Sequence, residues 1–250
     1  MTDHQLIGVV VVGDELLSGK RRDRHLAHVI DTVARRGMQV AWCRYVGDEF
    51  GRLTETLCQT RLDSIPVFCF GGIGATPDDQ TRQAAANAFG TRLVPHPDAV
   101  AMIEQQFGEQ AYPTRIRMAE LPERCQLIPN PCNRIPGFTV NRHHFFPGFP
   151  EMAWPMLDWV LDSCYAERYE PVAEYSVQVR DVTESSLCDL MDTLVERHPR
   201  VKLFSLPRLE PERCVELGFR GAASAAQDAF NDLREQLAAR GLANEVVSRR

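Results

Sequence analysis

The sequence predicts an α/β fold in which a mostly parallel sheet is sandwiched by helices, followed by a small C-terminal α+β domain. Short apolar runs alternate with amphipathic helical segments along the first part of the chain, a pattern typical of strands joined by crossover helices. The first run, residues 6–12, is apolar throughout, as expected for a strand that is covered on both faces. The chain has 250 residues, which is enough for both domains.

Three strands and three helices are expected before the less regular middle of the chain. The strands are predicted at residues 6–12, 39–46 and 65–70, and the helices at 23–36, 50–62 and 80–89. In the second of these helices Leu53, Leu57 and Leu62 are spaced to face the core. Ligands of such sheets bind beyond the carboxyl ends of the strands, so the three polar loops that follow these strands are expected at one edge.

The rest of the chain has a less regular pattern, and its elements are predicted from shorter stretches of sequence. We expect a helix at 97–107, loops around short strands at 112–136, a hairpin across Asn141-Arg142 and a helix after Pro150. A change of composition at 166–171 separates a domain at 1–166 from a domain at 171–250. The second domain is expected to have the order strand, helix, strand, strand, helix, with residues 248–250 as a solvated end.

The composition favours a cytoplasmic enzyme or binder of small molecules. The net charge of −6 and the pI near 5.7 argue against a nucleic-acid partner. Residues 6–12 are too short to cross a bilayer and have no cleavage signal, so no membrane contact is expected. The eight cysteines include no C-x-x-C pair, which favours buried, reduced thiols. His143 and His144 are expected as solvated or strand residues, since no third metal ligand is suitably spaced.

The stretch from residue 68 to residue 81 is the most informative part of the sequence. Gly71, Gly72 and Gly74 fall where a strand should end and a helix should begin. Glycines at such a point allow positive φ angles and let a ligand approach the bare backbone. The start of the following helix would offer unpaired N–H groups to a phosphate or another anion.

The residues that follow these glycines support two interpretations. Asp78 and Asp79 would repel an anion unless a hard cation such as Mg²⁺ stood between them, which indicates a metal-assisted phosphate or pyrophosphate site. The same residues also suit an ordinary helix start, with Thr76 as N-cap and Pro77 in the first turn. This stretch alone supports the structural and the functional interpretation equally.

Three motifs in order resemble the molybdopterin-binding domain of the competence/damage-inducible protein family, CinA. They are Gly13-Asp14-Glu15-Leu16-Leu17-Ser18-Gly19, then Gly71-Gly72-Ile73-Gly74-Ala75-Thr76-Pro77-Asp78-Asp79-Gln80-Thr81, then Pro147-Gly148-Phe149-Pro150-Glu151-Met152. The resemblance covers about residues 5–165 and extends to domains of molybdenum-cofactor biosynthesis enzymes and of FAD synthases. The tail resembles the KH-like domain of the same family, but it has no G-x-x-G loop, so nucleic-acid binding is not expected.

The resemblance implies a role for each matched residue. Asp79 and Asp48 are implied to be catalytic and to hold Mg²⁺ or another divalent cation. The residues implied to bind molybdopterin or a nucleotide are Gly13, Asp14, Glu15, Gly71, Gly72, Gly74, Thr76, Asp78, Thr81, Pro147, Gly148 and Glu151. His25 stands where the family usually has an asparagine, either as an ordinary helix residue or as a substituted ligand contact. The chain ends before the amidase domain of many members, so amidase activity is not expected.

Three functions follow from this resemblance and from the motifs. The first is binding of molybdopterin or a similar phosphorylated ligand. The second is metal-dependent hydrolysis of a pyrophosphate such as ADP-ribose or FAD, with a cation on Asp79 and Asp48. The third is a catalytically silent regulatory module. A homo-oligomer is expected in each case.

Overall fold

The computed structural model describes residues 5–168, 172–210 and 213–249. The chain divides into two compact units, and the division falls between residues 169 and 170. In the first unit a six-stranded sheet is covered by helices, and the second unit contains a four-stranded sheet and two helices. The predicted α/β architecture with a mostly parallel sheet is therefore confirmed.

The helices and strands of the first unit are numbered in chain order. They are β1 (Leu6–Val12), α1 (Asp14–Leu17), α2 (His25–Ala34), β2 (Gln39–Val46), α3 (Phe50–Thr60), β3 (Val67–Phe70), α4 (Thr81–Ala88), β4 (Leu93–Pro95), α5 (Pro97–Phe107), β5 (Glu120–Pro122), β6 (Gln126–Ile128), β7 (Gly137–Val140), β8 (His143–Phe146) and α6 (Pro150–Cys164).

The order of strands in the large sheet is β2-β1-β3-β8-β7-β6. The pairs β1/β2, β1/β3 and β3/β8 are parallel, whereas β7 pairs antiparallel with both β8 and β6. The four parallel strands end at the same edge of the sheet. The loops that follow β1, β2, β3 and β8 therefore meet there, as the sequence predicted for the first three.

Both faces of the sheet are buried, which explains why β1 is apolar throughout. Val10 and Val12 pack into a core with α3, α4 and α5. Val9 and Val11 pack into a second core with α2 and α6. A polar residue on either face of β1 would lack a hydrogen-bonding partner, so the alternation of an exposed strand is absent.

Some local expectations were wrong. The helix α3 ends at Thr60, so Leu62 lies beyond it and is 80% exposed rather than directed into the core. The helix α4 begins at Thr81 with Gln80 as its N-cap, so Thr76 does not cap it. All eight cysteines are free thiols, but Cys132, Cys164 and Cys188 are exposed.

The hairpin of β7 and β8 forms as predicted and carries the two adjacent histidines. Its turn residues Asn141 and Arg142 have φ angles of 47° and 62°, which a two-residue hairpin turn requires. His143 and His144 are strand residues, each 2% exposed. His143 Nε2 lies 2.9 Å from Thr60 Oγ1, and His144 Nε2 lies 2.7 Å from the hydroxyl of Tyr165. They are core residues with polar partners.

Acidification is expected to destabilise the first unit through these histidines. Burial lowers the pKa of His143 to about 4 and that of His144 to about 3. The unfolded chain binds protons below its ordinary histidine pKa of about 6.5, so stability falls as the pH drops from there towards 4. Each group contributes a slope of about 1.4 kcal/mol per pH unit.

Denaturant unfolding followed by tryptophan fluorescence can measure this slope. Trp42, Trp154 and Trp159 all lie in the first unit and report on it. The variant His144→Gln should have a smaller slope between pH 6.5 and 4 than the wild type, by about 1.4 kcal/mol per pH unit. An unchanged slope would show that this histidine is not buried in its neutral form.

The second unit has one strand more than the sequence predicted. Its elements are β9 (Val172–Arg180), α7 (Cys188–Arg197), β10 (Lys202–Arg208), β11 (Cys214–Ala222), α8 (Ala223–Ala239) and β12 (Asn244–Arg249), with strand order β10-β11-β9-β12. The backbone of Ser248 and Arg249 pairs with β9, so the solvated end expected there was wrong, while residue 250 lies outside the described part. None of the described helices has the length and apolar composition needed to cross a bilayer.

Candidate functional site

Four loops of the first unit surround a cavity of about 430 Å³ at the carboxyl edge of the sheet. We call it the glycine-rich pocket. The predicted site residues that line it are Gly13, Glu15, Asp48, Gly71, Gly72, Gly74, Thr76, Asp78, Asp79, Pro147 and Gly148. Asp14, Thr81 and Glu151 are not among its lining residues. The fold thus brings together eleven of the fourteen predicted residues, which come from four separate parts of the chain.

Gly71 and Gly72 let the chain turn sharply at the end of β3. Gly71 has φ 104°, and a Cβ atom there would lie 2.5 Å from the carbonyl oxygen of Val12. Gly72 has φ 70°, and a Cβ atom there would overlap the hydroxyl of Thr81. Thr81 is 1% exposed and donates its hydroxyl to the Gly71 oxygen at 3.0 Å. Thr81 therefore holds the loop in place through a buried hydrogen bond and does not face the pocket.

Replacing Gly71 by alanine is expected to lower the free energy of unfolding by more than the cost of a positive φ angle alone. That cost is about 1–2 kcal/mol, and the overlap with the Val12 carbonyl should add about 1–3 kcal/mol. Gly90→Ala is the matched control, since Gly90 has φ 64° and no atom within 4 Å of the added Cβ. Equal losses in the two variants, measured by tryptophan fluorescence, would contradict the close approach of Gly71 to β1.

The carboxylate of Asp79 is held by the turn that contains it. Oxygen Oδ2 accepts a hydrogen bond from the Thr76 amide at 3.0 Å and another from the Thr76 hydroxyl. The Asp79 amide donates to the Thr76 carbonyl at 3.1 Å. A Cβ atom at Gly74 would overlap this carboxylate. The turn therefore presents a carboxylate of fixed orientation to the pocket.

Arg82 supports this loop and was missed in the sequence. Its side chain is buried, and the residue is 2% exposed. It donates to the carbonyl oxygens of Gly74 at 2.9 Å, of Glu120 at 3.0 Å and of Arg117. The available signal was a single charged residue in a helix otherwise rich in alanine. Arg82 thus ties the glycine loop, residues 71–79, to the first residue of β5 and to the segment before it.

A second carboxylate reaches the pocket from the loop after β2. The Asp14 amide donates to Asp48 Oδ2 at 2.9 Å, and the Asp48 amide donates to Asp14 Oδ1 at 3.3 Å. Partial burial raises the pKa of Asp48, and the carboxylates of Asp14, Glu15 and Asp78 raise it further. A cation beside these oxygens would relieve their repulsion.

The carboxylates suit a hard cation only in part. Within the described ranges, no three His, Cys, Asp or Glu side chains are grouped to hold a metal ion by themselves. Mg²⁺ usually takes one or two protein carboxylates and completes its shell with water and phosphate oxygens. Asp48 and Asp79 line the same cavity. Two carboxylates match the number that a protein usually supplies to Mg²⁺.

His25 holds the fourth loop in place. Its Nε2 donates to the carbonyl oxygen of Gly148 at 3.1 Å, and its ring stacks on Phe70 with 4.6 Å between centroids. The residue is 5% exposed, and burial lowers the pKa of the ring, which favours its neutral form. Its buried Nδ1 has no hydrogen-bond partner among the described residues. The geometry favours a positioning role over direct ligand contact.

These features define an α/β protein with a candidate ligand site lined by glycine backbone and carboxylates at the edge of a mostly parallel sheet. Residues 8–166 match a family model described as "Probable molybdopterin binding domain". A CinA-like protein of Citrifermentans bemidjiense is 31% identical over 244 residues, which cover 93% of this chain and 58% of that relative. A CinA-like protein of Geobacter sp. strain M21 is 29% identical, with the same two shares.

A solved structure agrees with this match. The crystal structure of the protein CinA from Thermoplasma acidophilum, described as having unknown function, has a TM-score of 0.60 and 29% identity. The match covers 64% of this chain and 98% of the chain in that structure. The chain therefore belongs to the molybdopterin-binding domain family, among its CinA-like members. It spans somewhat more than half the length of the two curated relatives.

Proposed function

We propose that the chain binds a phosphorylated pterin or nucleotide in the glycine-rich pocket, together with a divalent cation. The observation that carries this proposal is the loop from Gly71 to Asp79, which combines glycine backbone that lines the pocket with a carboxylate held by Thr76. Backbone N–H groups suit phosphate oxygens. Asp79 and Asp48 would hold the cation, which would neutralise the charge between the phosphates and the carboxylates.

Isothermal titration calorimetry tests the proposal with ADP-ribose, FAD and molybdopterin, each with and without Mg²⁺. We expect binding of at least one of them that weakens when Mg²⁺ is removed. The variant Gly74→Ala should lose this binding, because its Cβ displaces the Asp79 carboxylate, while Gly90→Ala should keep it. Absence of binding to every ligand, or binding that Gly74→Ala leaves unchanged, would contradict the proposal.

Hydrolysis of a pyrophosphate is a second candidate function. It is favoured by the presence of Asp48 and Asp79 in the lining of one cavity beside the glycine backbone. A bound cation would polarise the pyrophosphate and lower the pKa of a water molecule. In this chain, Asp79 and Asp48 would orient that cation, and the glycine-loop amides would stabilise negative charge on the phosphate oxygens.

Product analysis separates hydrolysis from binding alone. ADP-ribose, FAD and NAD are incubated with the protein and Mg²⁺, Mn²⁺ or Co²⁺, and the mononucleotide products are separated by chromatography. Hydrolysis predicts products that require the metal. Binding without any product would contradict the second function for these substrates and leave the first intact.

A further inference from the structure

A second cavity of about 390 Å³ lies beside the glycine-rich pocket. We call it the arginine pocket, because Arg21, Arg22 and Arg24 are among its lining residues. Five residues line both cavities: Val12, Glu15, Arg21, Gly148 and Phe149. The two cavities are therefore neighbouring compartments of one cleft, and a ligand in the first could extend into the second.

Two of the three arginines have no partner for their positive charge. Arg24 is engaged, since its guanidinium lies 4.0 Å from Glu151 and 5.3 Å from the centroid of the Trp154 ring. Arg21 and Arg22 are exposed and make no side-chain hydrogen bond or ion pair with any residue that the structure describes. Both guanidinium groups are free to meet an anion.

Two of the three carboxylates in the lining of the arginine pocket are held by groups other than Arg21 and Arg22. Asp23 accepts hydrogen bonds from the amides of His25 at 2.8 Å and Leu26 at 3.0 Å, and from the Tyr45 hydroxyl at 2.8 Å. The Glu151 carboxylate faces Arg24. Glu15 is the remaining acid in the lining. The lining of the arginine pocket thus carries three arginines and three carboxylates, whereas the glycine-rich pocket carries four carboxylates and Arg21 alone.

One of the residues shared by the two compartments, Phe149, carries an exposed aromatic ring. Phe149 is 57% exposed although it is a large apolar side chain. Its backbone is fixed, because its carbonyl accepts hydrogen bonds from the amides of Met152 at 3.0 Å and Ala153 at 2.9 Å at the start of α6. A planar part of a ligand could stack on this ring between the two anion-binding ends.

We propose that the arginine pocket binds a second phosphate group of the ligand, gripped by Arg21 and Arg22, apart from the phosphates held by the glycine-rich pocket. The inference rests on the proposed function and narrows its ligand to molecules with phosphate at two separate places. Arginine suits this task because its planar guanidinium bonds phosphate oxygens in pairs and keeps its charge at any physiological pH.

Ligand pairs that differ by one phosphate test the inference by calorimetry. The pairs are ADP-ribose with ADP-ribose 2′-phosphate, and NAD with NADP, each with Mg²⁺. In at least one pair, we expect the compound with phosphate at two places to bind about tenfold more tightly than the compound that lacks the added phosphate. This ratio corresponds to about 1.4 kcal/mol. Arg21→Gln and Arg22→Gln should each reduce this ratio to below about threefold.

Lys20→Gln is the matched control, since it removes a positive charge from the same loop but Lys20 does not line the arginine pocket. It should keep the tenfold ratio. Equal affinities within both pairs, or a ratio that Lys20→Gln lowers as much as the arginine variants do, would overturn the inference. Inorganic phosphate is titrated alone as a further control. If it binds with a free energy as large as the gain from the added phosphate group, and if binding depends on Arg21 and Arg22 in the same way, the arginine pocket is a site for free phosphate and not for a phosphate group of the ligand.

The proposed function can be judged separately in the same experiment. If ADP-ribose and NAD bind as tightly as the compounds with the added phosphate, the inference is contradicted and the proposed function is supported. No binding of any of the four compounds would contradict both for nucleotide ligands.

Discussion

Replacing Arg82 with alanine is expected to lower the free energy of unfolding of the first unit by about 3 kcal/mol or more. The change removes the donor of three partly buried hydrogen bonds, to the carbonyls of Gly74, Glu120 and Arg117. Each unsatisfied buried group costs about 1–3 kcal/mol, and the removed side chain also leaves a cavity. Urea unfolding followed by tryptophan fluorescence measures the loss, because all three tryptophans belong to this unit.

Two further variants show whether this loss comes from the guanidinium. Arg82→Lys keeps the positive charge but cannot reach three carbonyls in the same way, so an intermediate loss is expected. Asn87→Ala changes an exposed residue of the same helix and should alter stability by less than about 0.5 kcal/mol. A loss in Arg82→Ala no larger than in Asn87→Ala would mean that Arg82 does not support the loop.

Replacing Asp79 with alanine is expected to abolish the dependence of ligand binding on Mg²⁺ and, where hydrolysis occurs, to slow it by about 10³-fold or more. A metal ion contributes several kcal/mol to charge stabilisation, and each 1.4 kcal/mol is a factor of ten. Stability should change little, because Asp79 is half-exposed and its hydrogen bonds are confined to one turn with Thr76. Calorimetry and product analysis measure the two effects.

The conservative variant Asp79→Asn separates charge from shape. Its side-chain oxygen can still accept from Thr76, so the turn should persist while the negative charge is lost. We expect it to lose the Mg²⁺ effect as Asp79→Ala does. Retained Mg²⁺ dependence in Asp79→Asn would place the cation elsewhere, even if binding of the organic ligand were unchanged.

The alternating strands and helices of the first unit were predictable because their hydrophobic patterns lie within short stretches of sequence. The strand at 6–12 and the helix at 97–107 were placed with the bounds that the structure has, since apolar runs and helical spacing identify such elements directly. Glycines between a strand and a helix also identified the edge where the glycine-rich pocket lies. The strand β12 was missed because its few apolar residues form no extended pattern and its pairing with β9 joins distant parts of the chain.

The supporting contacts of the site could not be predicted, because they depend on where side chains from distant segments meet. The sequence around Thr76 suits a helix cap, but its amide and hydroxyl bond Asp79 in a separate turn that precedes α4. The buried position of Arg82 and the contact of His25 with Gly148 likewise depend on tertiary packing. Local propensity does not encode such contacts, so the motif indicated where the glycine-rich pocket lies but not which side chains hold its loops in place.

The most direct test of the account is to observe which backbone amides respond to the ligand. In ¹⁵N-labelled protein with Mg²⁺, ADP-ribose should shift the amide resonances of residues 71–76 and of Asp48, which line the glycine-rich pocket. The amides of Cys214–Ala222 in the second unit should stay unchanged and serve as the internal control. Shifts confined to residues outside the four loops, or no shifts at saturating ligand, would contradict a phosphate-binding role for the glycine loop.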